Sequence, residues 1–244
     1  MMPRQPLRER DAVMELVAAE AEHAREGSGS LVLLRGATGT GRTALLEAVT
    51  DPEEARGMRV LRARCSPGDH DSPFATAVRL LDSAGEFGGM TDGFETRASV
   101  TVGSVTRGFG TPAAPHDRRY AARLWSVLRS YAAEGPLLLA VDDVHLADEP
   151  SRRWLAEAAR LADRLPVLLV VTERSQYDID PPAPGLTHAL PPSRVRTHTL
   201  APLPGAAAAE LVRAAAGTRT PPGCAGDCVS AAAGSPLLLH ALLD

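Results

Sequence analysis

The sequence predicts a three-layer α/β fold, a mostly parallel sheet covered by helices on both faces. Two observations carry that expectation. Three short runs are almost wholly apolar: "LVLLR" at 31–35, "PLLLAVDD" at 136–143 and "VLLVVTER" at 167–174. Strands buried on both faces read this way, whereas half-exposed strands alternate. Between these runs lie stretches with the 3.6-residue apolar period of amphipathic helices. A length of 244 residues suits one such domain and part of another, with a sizeable core.

Taken in order, "DAVMELVAAEAEHAREG" sets Val13, Leu16 and Val17 on one face with Glu and Arg opposite, which predicts a helix. Gly27-Ser28-Gly29-Ser30 ends it and leads into the first buried strand. "TALLEAV" (43–49) reads as a helix, "MRVLRARC" (58–65) alternates as a strand, and "PFATAVRLLDSAG" (73–85) returns to helix. Residues 84–116 are rich in Gly and Thr without lasting period, and a flexible loop is expected there. "DRRYAARLWSVLRSYAAEG" (117–135) predicts a helix with Ala121, Leu124, Leu128 and Tyr131 along one side. Its arginines read either as a solvated face, with Asp117 and Glu134 among them, or as a basic patch. The second buried strand (136–143) is followed by a helix over 149–166, with a proline near its first turn, and then by the third strand. The Pro-rich stretch 175–194 reads as a flexible surface loop, and "RVRTHTLAPL" (194–203) as a last strand. The Ala- and Leu-rich remainder from Gly205 reads as helical, the beginning of another domain.

A formal charge of −4 and 44% apolar residues describe an ordinary globular protein and not a dedicated nucleic-acid binder. No apolar stretch is long enough to span a bilayer, and "MMPRQPLRERDAVMELV" lacks the apolar core of a signal peptide, so the cytoplasm is the expected compartment. Among three cysteines, Cys224 and Cys228 could share one helical turn, but no histidine or acidic cluster nearby completes a metal set.

Chemistry concentrates at the ends of the buried strands. "GATGTGRT" (36–43) follows the first strand and opens a helix, in the pattern of a phosphate-cradling loop, G-x-x-x-x-G-K-[ST]. Gly36, Ala37, Thr38, Gly39, Thr40, Gly41, Arg42, Thr43 and Ala44 are the candidate nucleotide-binding residues. Backbone amides and the following helix N-terminus supply positive potential for phosphates, and the Thr43 hydroxyl suits Mg²⁺. Arg42 stands where lysine is usual. It keeps the charge but is longer and planar, which leaves binding expected and cleavage of the γ-phosphate open. The second strand ends on Asp142-Asp143. Asp142 is the candidate metal ligand, and Asp143 the candidate for positioning or deprotonating the attacking water. At the third strand's tip, Thr172 and Arg174 are candidates for sensing a γ-phosphate, while His145 reads either as a site or a surface histidine.

These motifs together resemble the P-loop NTPase domain of the STAND class, a signalling branch of the AAA+ group. More narrowly, they resemble the ATPase region of the large ATP-binding LuxR-type transcriptional regulators of actinobacteria. "LRERDAVMELVAA" is similar to that family's opening segment, with a leucine where its glycine stands, and implies base contacts near Arg8 and Arg10. "RARCSPGDHDSPFATAVRLL", "VDDVHLADEPSRRWLAEAAR" and "HTLAPLPGAAAAELV" are similar to later segments, the last being the link into a helical lid. "GSPLLLHALL" resembles the G-x-P motif, whose proline, here Pro236, approaches base or sugar. The resemblance implies ATP/ADP and Mg²⁺ as cofactors, a nucleotide-binding domain over 1–203 and a partial lid over 204–244. It implies a switch whose partners are the regulator's remaining domains or further copies of itself. Those sensor and DNA-binding domains are not in this sequence, so no direct DNA binding and no membrane association are expected. Two other functions stay open: a pseudo-ATPase scaffold that binds nucleotide without cleaving it, favoured by Arg42, and a P-loop kinase or phosphotransferase.

Overall fold

The computed structural model describes residues 10–51, 55, 57–83, 115–175, 186, 190, 195–216 and 224–243. The expected loops at 84–116 and 175–194 lie largely outside these residues, as does Arg8. The sheet strands are β1 (Ser30–Gly36), β2 (Arg59–Arg64), β3 (Leu137–Asp142), β4 (Val167–Arg174) and β5 (Val195–Leu200). They lie side by side in the order β2-β3-β4-β1-β5, and every adjacent pair is parallel. The three largely apolar runs are the three central strands. β2 and β5 lie at the edges and are less buried than the central strands; in β2, buried Leu61 and Ala63 alternate with exposed Arg62 and Arg64.

Side-chain alternation divides the apolar residues of the central strands between two cores. Val32, Leu34, Leu138, Ala140, Leu168 and Val170 meet α1 (Asp11–Arg25) and α2 (Arg42–Val49) on one face. Leu31, Leu33, Leu137, Leu139, Val141, Leu169 and Val171 meet α3 (Ala75–Asp82), α4 (Pro115–Glu134) and α5 (Glu149–Leu161) on the other. Each fully buried leucine or valine contributes about 1.5–3 kcal/mol. Val13 and Val17 of the predicted α1 stripe are buried, and Leu16 packs at the edge of the same core.

Asp148 joins two helices of the second core. It is the N-cap of α5, accepting from the Ser151 amide at 2.8 Å, and is fully buried. The same carboxylate accepts from the amides of Phe74 and Thr76 at 2.7 and 3.2 Å, so it also holds the start of α3. Cys65 is buried nearby, and burial pushes its thiol up to about 12, which makes it inert. After β5 the chain forms α6 (Gly205–Ala216), α7 (Cys224–Ala232) and α8 (Pro236–Leu243). Leu203, Ala208, Val212, Ala232 and Leu239 give these helices a small core of their own.

Candidate nucleotide site

Parallel α/β sheets gather function at the carboxyl ends of their strands. Here β1 ends on Gly36 and turns into α2 through Ala37, Thr38, Gly39, Thr40 and Gly41, with Ala44 in the first turn of the helix. Gly36 has no room for a side chain, because a Cβ would lie 2.5 Å from Thr40 Oγ1. The Thr40 hydroxyl and amide both donate to the Ala37 carbonyl, at 2.8 and 3.3 Å, which closes the turn. Gly41 caps α2 with φ 91°, a left-handed conformation open to glycine at little cost.

The outer side of this loop is held by distant segments. Arg10, expected near a base, is buried at the start of α1. Its Nη2 donates to the carbonyls of Thr40 at 3.1 Å and Ala201 at 3.0 Å. The carbonyl of Gly39 accepts from the Ser235 hydroxyl and the Leu237 amide, both at 3.3 Å. Pro236 lies between these two as the first residue of α8, so the C-terminal helices begin against the loop.

Across from the loop, β3 delivers its two acids. Asp142 is buried, and both its oxygens are held. Thr43 Oγ1 donates to Oδ2 at 2.9 Å, and Thr172 Oγ1, fully buried on β4, donates to Oδ1 at 2.6 Å. Thr172 also accepts from the Asp143 amide at 2.7 Å. Asp143 is left-handed at φ 53° and ψ 47°, unusual for a residue with a side chain, and forms an ion pair with Arg42 Nη2 at 3.1 Å. Arg42 Nη1 is buried without a hydrogen-bond partner. Arg64, largely exposed, brings its Nε to 3.7 Å from Asp142 Oδ2. His145 is half-buried, and its Nδ1 accepts from the Arg174 amide at 3.5 Å. Burial depresses the His145 pKa, Asp143 opposes that effect and Arg42 adds to it. Arg174 stands opposite Gly36 in the β1–β4 register.

The structure therefore brings the loop, Arg42, Thr43, Asp142, Asp143 and Arg174 to one end of the sheet, with Pro236 at its margin. Thr43 and Asp142 offer adjacent hard oxygens, the donor type that Mg²⁺ takes. The buried Nη1 of Arg42 is a donor suited to a phosphate oxygen. All 26 basic residues of the chain are arginine, so Arg42 follows the whole sequence in replacing lysine. Thr172, a candidate for sensing the γ-phosphate, is fully buried as a brace beneath both acids, and Ser235, a donor to the loop, escaped the sequence reading. Thr172 was legible as a polar residue at a strand tip, but its partner was not. Ser235 carried no signal beyond its place in G-x-P.

Similarity to known proteins agrees with this geometry. The sequence matches the AAA ATPase domain over residues 6–171. It is 30% identical over 194 residues to an uncharacterised protein of Rhizobium meliloti, covering 70% of this chain and 19% of that one. In three dimensions it is similar to the ORC1 protein of Aeropyrum pernix, solved in complex with DNA, with TM-score 0.58 and 17% identity over 98% of this chain and 60% of that one. It is also similar to a Pyrococcus horikoshii STAND protein (signal transduction ATPase with numerous domains) that carries a tetratricopeptide repeat sensor. There the TM-score is 0.52 at 15% identity, covering 99% of this chain and 30% of that one. The chain thus spans about a fifth of the sequence relative and less than two thirds of either structure. No helix among the described residues is long and apolar enough to cross a membrane. With the family match extending from before α1 into β4, and the loop and acidic strand tip meeting as that fold requires, the chain belongs to the AAA ATPase domain family.

Proposed function

We propose that the chain is an ATP-binding switch module in which Mg²⁺ and nucleotide phosphates are held between the loop and the tip of β3. The observation that carries this reading is the 2.9 Å contact between Thr43 Oγ1 and Asp142, which brings the two metal-type ligands together at the mouth of a glycine loop. In this reading Gly36 to Ala44 bind the phosphates, Thr43 and Asp142 hold Mg²⁺, and Thr172 keeps Asp142 oriented. Arg42 and Arg174 face the γ-phosphate, Asp143 orients the attacking water, and Pro236 lies toward the base. Bound Mg²⁺ supplies neutralisation of phosphate charge. Residues 1–203 form the nucleotide domain and 204–244 begin its lid. The order of motifs and the likeness to a STAND fold support placing the module in a cytoplasmic LuxR-type transcriptional regulator, partnered by that regulator's other domains.

The Arg42–Asp143 ion pair favours a second reading. A carboxylate engaged by a guanidinium at 3.1 Å is a poor water activator, which fits a module that binds nucleotide and does not cleave it. Calorimetric titration of Mg²⁺-ATP with phosphate release followed in the same sample decides between the two. A hydrolysing switch binds and releases phosphate slowly, and Asp143→Asn keeps binding and loses release. In a scaffold, wild type binds without release. Absence of binding by the wild type rejects both.

A further inference from the structure

The loop carbonyls of Gly39 and Thr40 are each held by groups far away in sequence. Gly39 is held from the C-terminal helices, by Ser235 and the Leu237 amide. Thr40 is held by Arg10, across 30 residues, and the same Nη2 reaches Ala201 across 191. Ala201 follows β5 directly, in the linker to α6. Arg10 is 7% exposed, so this is a buried cation fixed on backbone oxygens and not a surface side chain. Its charge also reaches His198 on β5, whose pKa is lowered by burial first and by Arg10 second.

A trans peptide points its N–H opposite its C=O. Holding the Thr40 carbonyl outward therefore sets the Gly41 amide toward the inner side of the loop. Charged donors make the stronger hydrogen bonds, so this peptide plane is set by the firmest contact available to it. A base-reading role requires a guanidinium edge open to a ligand, whereas the Nη2 of Arg10 is committed to two carbonyls.

Accepting the nucleotide-binding reading, we propose that Arg10 is a positioning residue for the phosphate loop. It aims the Gly41 amide at the phosphates and couples that setting to the linker into the C-terminal helices. Arg10 therefore serves every triphosphate ligand alike and has no part in choosing the base.

The test compares wild type with Arg10→Met and Arg10→Lys, titrating Mg²⁺ complexes of ATP, GTP and inorganic tripolyphosphate. Circular dichroism and thermal melting establish folding. The expected result is that Arg10→Met weakens all three ligands by a common factor of about tenfold, with Arg10→Lys in between, since an ammonium keeps the charge and reaches one carbonyl well. A changed ATP-to-GTP ratio with tripolyphosphate binding intact overturns the proposal in favour of a base contact. Unchanged affinity for all three, with only the melting temperature lowered, reduces Arg10 to a structural brace and overturns it too. If Arg10→Met does not fold, Arg10→Lys carries the comparison alone, and equal affinities then overturn the proposal. Failure of the wild type to bind any of the three rejects the nucleotide site itself, an outcome distinct from equal binding by wild type and variants.

Discussion

Thr172 has no charge, yet it touches both acids of the site. Thr172→Val keeps the shape and removes the hydroxyl, leaving the Asp143 amide without its acceptor and Asp142 Oδ1 without a donor. The expected result is about tenfold weaker Mg²⁺-dependent nucleotide binding and a stability loss of about 1–3 kcal/mol, with Thr172→Ser close to wild type. Titration with and without Mg²⁺ checks the first, and urea unfolding the second. His145 gives a pH test. Its folded pKa is lowered chiefly by burial, so the unfolded state binds the proton more readily. Its contribution to stability is therefore complete above the ordinary histidine value of about 6.5 and declines as pH falls below it. A His145→Gln variant should show a flatter stability profile between about pH 5 and 7 in denaturant melts. At this scale the sequence revealed the residues that motifs name and hid the ones that geometry recruits. Asp142 and Thr43 stand at recognisable spacings from glycines and strand ends. Arg10 could be singled out only by resemblance, and its contacts with Thr40 and Ala201 are set by how distant segments fold together.

At the scale of elements, the three central strands were legible because burial on both faces makes them apolar until their carboxyl ends, where the polar residues gather. β2 was legible for the opposite reason, its alternation marking a strand, while its edge position came only with the fold. Strand order was not legible, since nothing local in β1 states that β4 and β5 will flank it. The Asp148 junction was not read from the sequence, which marked only the proline near the helix's first turn; the cap's hold on α3 depends on a contact 74 residues away. Asp148→Ala leaves three backbone amides without their acceptor, two of them at the start of α3. A stability loss of about 2–4 kcal/mol is expected by chemical denaturation. Hydrogen exchange should accelerate first at Phe74, Thr76 and Ser151.

Over the whole molecule, the C-terminal helices hydrogen-bond to the phosphate loop, among the described residues, at the carbonyl of Gly39. Ligands that order the loop should therefore slow opening of these helices. Leu203 is buried in their small core, with its amide bonded to the Gly234 carbonyl at 2.7 Å, so exchange of that amide reports opening. Hydrogen exchange at the Leu203 amide should slow with Mg²⁺-ATP present, and Ser235→Ala should remove most of that protection. The substitution at the heart of the site has a consequence of another kind. With every cation a guanidinium, the protein offers no side-chain amine to acylation. Acetyl groups, activated esters and acyl-phosphate nucleotide probes that modify loop lysines find no target side chain in these 244 residues, so this nucleotide site would be silent in a survey that detects such sites by amine labelling. Reagents for guanidinium groups, such as vicinal dicarbonyls, would have to take their place. The half-buried pairing of Arg42 with Asp143 should slow the reaction of that arginine relative to the exposed ones.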